Sequence, residues 1–332
     1  MTETHTIGAA ERDLMAVTLR GLVERLDGPE LMAALDEFGF SELLALTPRD
    51  AVSALFIALG RSGSTATSLQ DVLLSPLAEH LPVATTECDV VLPGVGEELA
   101  GTTEGGSGLV VRGLIIGARR SPTLLAPVAI RGEPAWVRLD PSGGVSLRQV
   151  GGLDPALAMI EIIGHGVEPD VVLSGEAAVT AWDAVATAGR LALGYQILGA
   201  VGRMIDLAVD HARSRVQFGQ PIGSFQAVRN RLADAHVARE GAAAVLASAW
   251  DADDVVLAGL LAKSLAGRAA RIAATQCQQV LAGIGFTAEH PFHRFLARAL
   301  VLDSVLGSAT ELPAVIGARL ISTGTIPRLV DL

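Results

Sequence analysis

Apolar residues recur at spacings of three and four through 10–26, 30–38, 49–59 and 68–74, with Gly and Pro between the runs. This pattern predicts a small helical module up to about Ala78. From about residue 82 the texture changes to β-branched runs punctuated by Gly and Pro, at 88–92, 108–116, 123–130, 135–139 and 158–163. Short strands at such intervals predict a small barrel or sandwich. After about Gly175 the helical period returns in longer segments. In 178–211, Leu191, Tyr195, Leu198, Gly202, Ile205 and Val209 form one stripe, with Gly194, Gly199 and Gly202 permitting close helix approach. A second helix is expected over 225–250 with Val228, Leu232, Ala235, Ala242 and Leu246 inward. A turn at 251–254 offers N-caps, a third helix runs from 255 to about 282, and a fourth starts near Pro291. The fold class is α+β: an N-terminal helical domain (1–80), a central small β domain (81–177) and a C-terminal four-helix bundle (178–332).

The 332 residues are 50% hydrophobic and 18% charged, which excludes a disordered chain. A formal net charge of −11 argues against nucleic acid and anionic membranes as partners. Lys263 is the single lysine among 25 cations. Cys88 and Cys277 lack the spacing of a disulfide framework or thiolate cage. The first residues lack the basic and apolar regions of an export signal, and no uninterrupted apolar run approaches the ~18–20 residues of a membrane span. A cytoplasmic protein is expected.

Chemistry enters between the first two bundle helices, as Arg213-Ser-Arg-Val-Gln-Phe-Gly-Gln-Pro-Ile-Gly-Ser-Phe-Gln226 followed by Leu232-Ala-Asp234. Further on come Ala262-Lys263 and Gln279-Val-Leu-Ala-Gly-Ile-Gly-Phe-Thr-Ala-Glu-His-Pro-Phe-His-Arg294. In order and spacing these resemble the signatures of the acyl-CoA dehydrogenase family, specifically across roughly residues 182–320. The resemblance implies helical, β and helical domains in that order. It also implies FAD bound across a subunit interface, an acyl-CoA thioester losing its α-proton to a carboxylate and its β-hydrogen to the flavin, and reoxidation by an electron-transferring flavoprotein. By the matched positions, Arg215 would reach the FAD diphosphate of a neighbouring subunit with a guanidinium fork suited to it. Phe218 would pack at the adenine end and Gln279 on the ribityl and phosphate side. Gly283 and Gly285 would allow close backbone approach, and the resemblance also puts Gln226, its role open, and Ser308, in the segment of the commoner catalytic glutamate, among the cofactor-binding residues. Without the surrounding motif, Arg213 and Arg215 would equally suit a solvated helix end.

The chain also departs from that pattern. One family glutamate position holds Leu306, ahead of Gly307 and Ser308, and the alternative position holds Gly189. Asp303 and Glu311 are the nearest substitutes, or else acids of a surface helix. For the loop that holds the flavin ring the sequence offers 102–108, whose Gly105-Gly-Ser-Gly reads as a hairpin closure, and 114–118, without the family tryptophan. Ala282 replaces a family glycine, and Ala297-Arg298 replaces an Arg-Asp pair. His290 and His293, lacking a third ligand, read as helix-start residues and no metal site is expected. Gly189, Ala192 and Gly194 either leave room for a bulky ring-bearing acyl chain or serve helix packing.

Short relatives without a base form one half of unlike-subunit tetramers in actinobacterial sterol degradation. The resemblance therefore implies a small subunit whose larger partner holds the flavin ring and the base. The alternatives are a self-sufficient homotetramer with an atypical base, a catalytically silent scaffold, and a helical bundle unrelated to flavins.

Overall fold

The computed structural model describes residues 8–81, 88–103, 108–119 and 121–324. Five helices lead: α1 (Ala9–Arg25), α2 (Gly28–Phe38), α3 (Phe40–Leu46), α4 (Pro48–Ser62) and α5 (Ser68–Leu74). Asp27 starts α2 by accepting from Gly28 N at 2.9 Å, and the same carboxylate accepts from Thr65 N at 2.8 Å. The sequence pattern missed α3, a two-turn helix whose only buried residues are Phe40 and Leu44, one turn apart.

Nine described strands form one sheet: β1 (Cys88–Val90), β2 (Leu92–Pro93), β3 (Gly101–Thr103), β4 (Leu109–Ile115), β5 (Thr123–Ile130), β6 (Glu133–Leu139), β7 (Val145–Val150), β8 (Met159–Val167) and β9 (Asp170–Ser174). The order is β7-β8-β4-β3-β5-β6-β9, with β1 parallel to β5 and β2 antiparallel to β4. Alternate side chains serve two cores. Leu125 and Trp136 join the helical core, while Leu124, Ala126, Ala135 and Val137 close a core of the sheet's own. That double burial produces apolar runs where a half-solvated strand would alternate. The Trp136 indole N–H donates to the Ala178 carbonyl at 3.2 Å, fastening the sheet to the next helix.

That helix is α6 (Gly175–Ser214), followed by α7 (Gln226–Ser248), α8 (Val255–Leu281), α9 (Phe292–Ser304) and α10 (Leu312–Thr323). Asp254 caps α8 by accepting from Leu257 N at 3.0 Å. The single stripe read for α6 is too narrow, because every residue from 191 to 202 is buried. α4, α7, α8, α9 and β6 pack around it. Gly60 and Gly199 bring α4 and α6 backbone to backbone: a Cβ at Gly199 would lie 2.3 Å from the Ile57 carbonyl oxygen. By length and composition α6 is the one described helix able to cross a membrane, yet 83% of its most apolar window is buried inside the fold. The final helical stretch, read as one helix from Pro291, breaks between α9 and α10, where Leu306 (φ 56°) and Gly307 (φ 96°) take the left-handed conformation.

Arg298, 2% exposed, stitches three segments together from α9. It pairs with Asp154 in the loop before β8 and donates to the carbonyls of Ser64 (2.9 Å) and Gly63 (3.0 Å) at the end of α4.

Candidate functional site

Arg215 caps α6, donating its N–H to His211 O at 2.9 Å, while its carbonyl accepts from Ile222 N at 2.8 Å. Between these bonds lies a two-stranded hairpin, β10 (Val216–Gln217) and β11 (Gln220–Pro221), whose two-residue turn is Phe218-Gly219. Both turn residues have positive φ (52° and 79°), as the tightest hairpins require. Glycine takes that conformation freely and phenylalanine does not, so Phe218 is a strained residue. Its ring is 92% exposed and meets Phe225 edge-on at 6.1 Å. Among the described residues Arg215 has no carboxylate partner, and Gln226 opens α7 in the exposed class.

The end of α8 lies at the same end of the bundle. Arg231 of α7 donates to Gln276 Oε1 of α8 at 2.8 Å. The pKa of His211 is lowered, first by burial and then by the charges of His290 and Arg215. Gln279 is exposed on the last turn of α8, and a Cβ at Gly283 would meet nothing within 4 Å. Ala282 stands at φ 53°, ψ −136°, a glycine conformation, which explains why glycine suits this position and shows the departure to be a strained one. Val216, Ile284 and Phe286 are exposed apolar neighbours in sequence of these groups. An unpaired guanidinium, a free amide and an open glycine turn fit a diphosphate, and Phe218 offers a bare ring face. His290 and His293 act locally: Phe292 N donates to His290 Nδ1 at 3.3 Å, and His293 Nδ1 meets His290 O at 2.8 Å.

The region of the expected base is built in the opposite manner. A Cβ at Gly189 would lie 2.6 Å from Leu306 Cδ1 and 2.9 Å from Leu73 Cδ2, so the two positions read as alternative glutamate sites touch, and Leu306 fills the space between them. The turn carrying Leu306 is held by two cations, Lys263 buried and Arg190 half-buried. Lys263 donates to Asp303 O (2.8 Å) and Gly307 O (3.1 Å), and Arg190 Nε donates to Leu306 O at 3.1 Å. Burial pushes Lys263 down to about 7 and Arg190 down to about 10.

Asp303 is not a surface acid. It is 2% exposed, accepts from Ala309 N at 3.0 Å and Arg271 at 3.1 Å, and lies 4.0 Å from Lys263 Nζ. Glu311 accepts from the N–H (3.0 Å) and hydroxyl (2.8 Å) of Ser308, bonds that hold its pKa down. Ser308 is itself buried and bonded within this turn. Gly194 packs against Leu246, its hypothetical Cβ 2.8 Å away, so Gly189 and Gly194 serve packing and leave no room for an acyl ring there.

Beside this turn opens a cleft of about 370 Å³, bordered by Trp182 and Arg190 of α6, by Leu306, Gly307 and Glu311, and by the loop from Pro93 to Glu98. Sequence reasoning missed that loop and looked to 102–108. Thr102 and Thr103 instead pair within β3, and 104–107 lie outside the described residues. The available signal was the Pro-Gly-x-Gly run closing a short strand.

Comparison with known proteins places these observations. Residues 181–321 match the family model "Acyl-CoA dehydrogenase, C-terminal domain". The chain is similar to acyl-CoA dehydrogenase IpdE2 of Mycolicibacterium smegmatis, 28% identical over 91% of this chain and 96% of that protein. IpdE2 of Mycobacterium tuberculosis is 39% identical over 38% of this chain, an alignment that spans only 40% of that relative's length. The ChsE4-ChsE5 complex from Mycobacterium tuberculosis contains a chain with the same fold, at TM-score 0.77 and 23% identity, covering 97% of this chain and 99% of that one. The order of the motifs and the matched domain agree, and residues 181–321 belong to the acyl-CoA dehydrogenase C-terminal domain family.

Proposed function

We propose that this chain is the small subunit of a heteromeric, FAD-dependent acyl-CoA dehydrogenase acting on a steroid-derived acyl-CoA. It presents Arg215, Phe218, Gln226, Gln279 and Gly283 to FAD held largely by a larger subunit that carries the base. FAD, when bound, supplies the hydride acceptor, and an electron-transferring flavoprotein takes the electrons on. This chain's own residues bind and orient: Arg215 neutralises phosphate charge, Gln279 donates an amide hydrogen bond, and Phe218 covers a ring face and excludes water.

The observation that carries this reading is the contact of Leu306 with Gly189. Removing a thioester α-proton needs a placed carboxylate, worth about 10²–10⁴ in rate. Both positions for it are apolar here and packed together, whereas the groups suited to a diphosphate face outward, as a contribution to a neighbour's site requires. A two-protein assembly such as the ChsE4-ChsE5 complex supports the same arrangement.

A homotetramer with its own atypical base would draw on Asp303 or Glu311. Asp303 is committed to Ala309 and Arg271, and the bonds from Ser308 leave Glu311 a weak proton acceptor. Co-expression with a larger homologue, followed by absorbance at the flavin bands, tests the proposal. The complex is expected to carry flavin and to oxidise a steroid-derived acyl-CoA, and Arg215→Ala to lower its flavin content. Stoichiometric flavin on this chain alone would refute the dependence on a partner, and unchanged flavin in the Arg215→Ala complex would leave only a scaffold role.

A further inference from the structure

Away from the Arg215 hairpin and the Leu306 turn, a second cleft of about 430 Å³ lies where α1, α4, α6 and α9 converge. Four of its lining residues are arginines from four different helices: Arg20, Arg61, Arg203 and Arg294. Glu24 is the only acid on the lining. In a chain of net charge −11 this is a local reversal of sign.

Two of the guanidinium groups are held in place. Arg61 pairs with Asp206 at 2.6 Å and lies against α6 where Gly202 makes room, since a Cβ there would be 2.8 Å from Arg61 Nη1. Arg203 stands over the Phe295 ring, 6.0 Å from its centroid. The other two are uncommitted: among the described residues Arg20 and Arg294 pair with no carboxylate, and both are exposed at the rim. Pro291 is the N-cap of α9 and Arg294 lies in its first turn, where the helix dipole adds positive potential. Counting Glu24 and Asp206 against the four arginines leaves an excess of positive charge. Guanidinium forks, which pair bidentately with oxyanions and stay charged at any physiological pH, are the groups that recognise phosphate.

We propose that this cleft binds a multiply charged phosphate-class anion, with Arg61 and Arg203 as its fixed floor and Arg20 and Arg294 as arms that close on it. The proposal does not depend on the flavin reading, because none of these residues belongs to the hairpin or to the Leu306 turn.

Isothermal titration of the full chain with pyrophosphate at constant ionic strength tests it, with sodium chloride as the screening control. Saturable binding is expected, weakened roughly tenfold or more in the Arg20→Gln/Arg294→Gln double variant. Glu24→Gln, which removes the one acid on the lining, is expected to tighten it. All three substitutions fall on exposed side chains, and circular dichroism verifies that the fold is retained. ADP and coenzyme A form the second arm: tighter binding of either than of pyrophosphate identifies a nucleotide as the source, and equal binding identifies a free diphosphate. Absence of saturable binding, or a double variant that binds as the parent does, overturns the proposal.

Discussion

Around Leu306 the carbonyls of Asp303 and Gly307 accept from the buried Lys263 and that of Leu306 from the half-buried Arg190, and the gap beside Gly189 holds a leucine. Around Arg215, about 39 Å along the same helix at 1.5 Å per residue, a guanidinium, two amides and a phenyl ring stand in the open. Within the Leu306 turn the two acids, Asp303 and Glu311, are both engaged in hydrogen bonds. The open region keeps unsatisfied donors and a strained phenylalanine, an arrangement that costs the isolated chain stability and gains a partner or a ligand something to meet.

The contrast can be broken most severely on the packed side. Arg298→Met leaves Asp154 buried without its partner and two carbonyls of the α4 end without donors, and is expected to cost about 3–5 kcal/mol in urea unfolding. A loss of less than about 1 kcal/mol would mean that this cation does not hold the helices to the β domain.

Gly189→Ala drives a methyl into Leu306 and Leu73, with an expected cost of about 1–3 kcal/mol. Adding Leu306→Ala should recover part of that, and a double-mutant cycle with no coupling would show that the two positions do not touch in solution.

The pH dependence of stability sharpens the same comparison. Burial lowers Lys263 from 10.5 to about 7, so between those values the folded chain binds fewer protons than the unfolded one. Stability should therefore rise with pH above 7, by up to about 1.4 kcal/mol per unit. Cys277, whose thiol burial pushes up to about 12 from 9.0, works in the opposite sense above pH 9. Denaturation midpoints measured from pH 7 to about 8.5 should climb in the parent and lie flat in Lys263→Met.

The smallest effect belongs to the open end. Phe218→Gly removes an exposed ring and relieves a left-handed backbone, so stability should hold or rise by about 0.5–1 kcal/mol while flavin content of the complex falls. A clear loss of stability would show that Phe218 serves folding instead.

Much of this was legible in the sequence, and the omissions are systematic. The long helices α6, α7 and α8 were read to within a few residues, because two dozen or more residues of unbroken helical period admit no other reading. β7 and β9 were missed as edge strands whose side chains are mostly exposed or half-buried, and β3 as only three residues long. The segment carrying Arg215, Phe218 and Gln226 was legible because it is local and continuous in the chain. The Leu306 turn was not, because the donors that hold it, Arg190 and Lys263, lie more than 40 residues away.

The sequence by itself determined the order helices, sheet, helices and the short segment at Arg215 that joins the first two bundle helices. These are properties of periodicity and of short segments, in which each residue's neighbours in the chain are also its neighbours in space. Only the tertiary structure decided that Gly189 and Leu306 fill one another's space, that Asp303 is buried among cations, that the loop from Pro93 to Glu98 borders the cleft, and that four arginines from four helices meet. Each of these depends on which helix faces bury against one another, and that choice is made by the packing of the whole core.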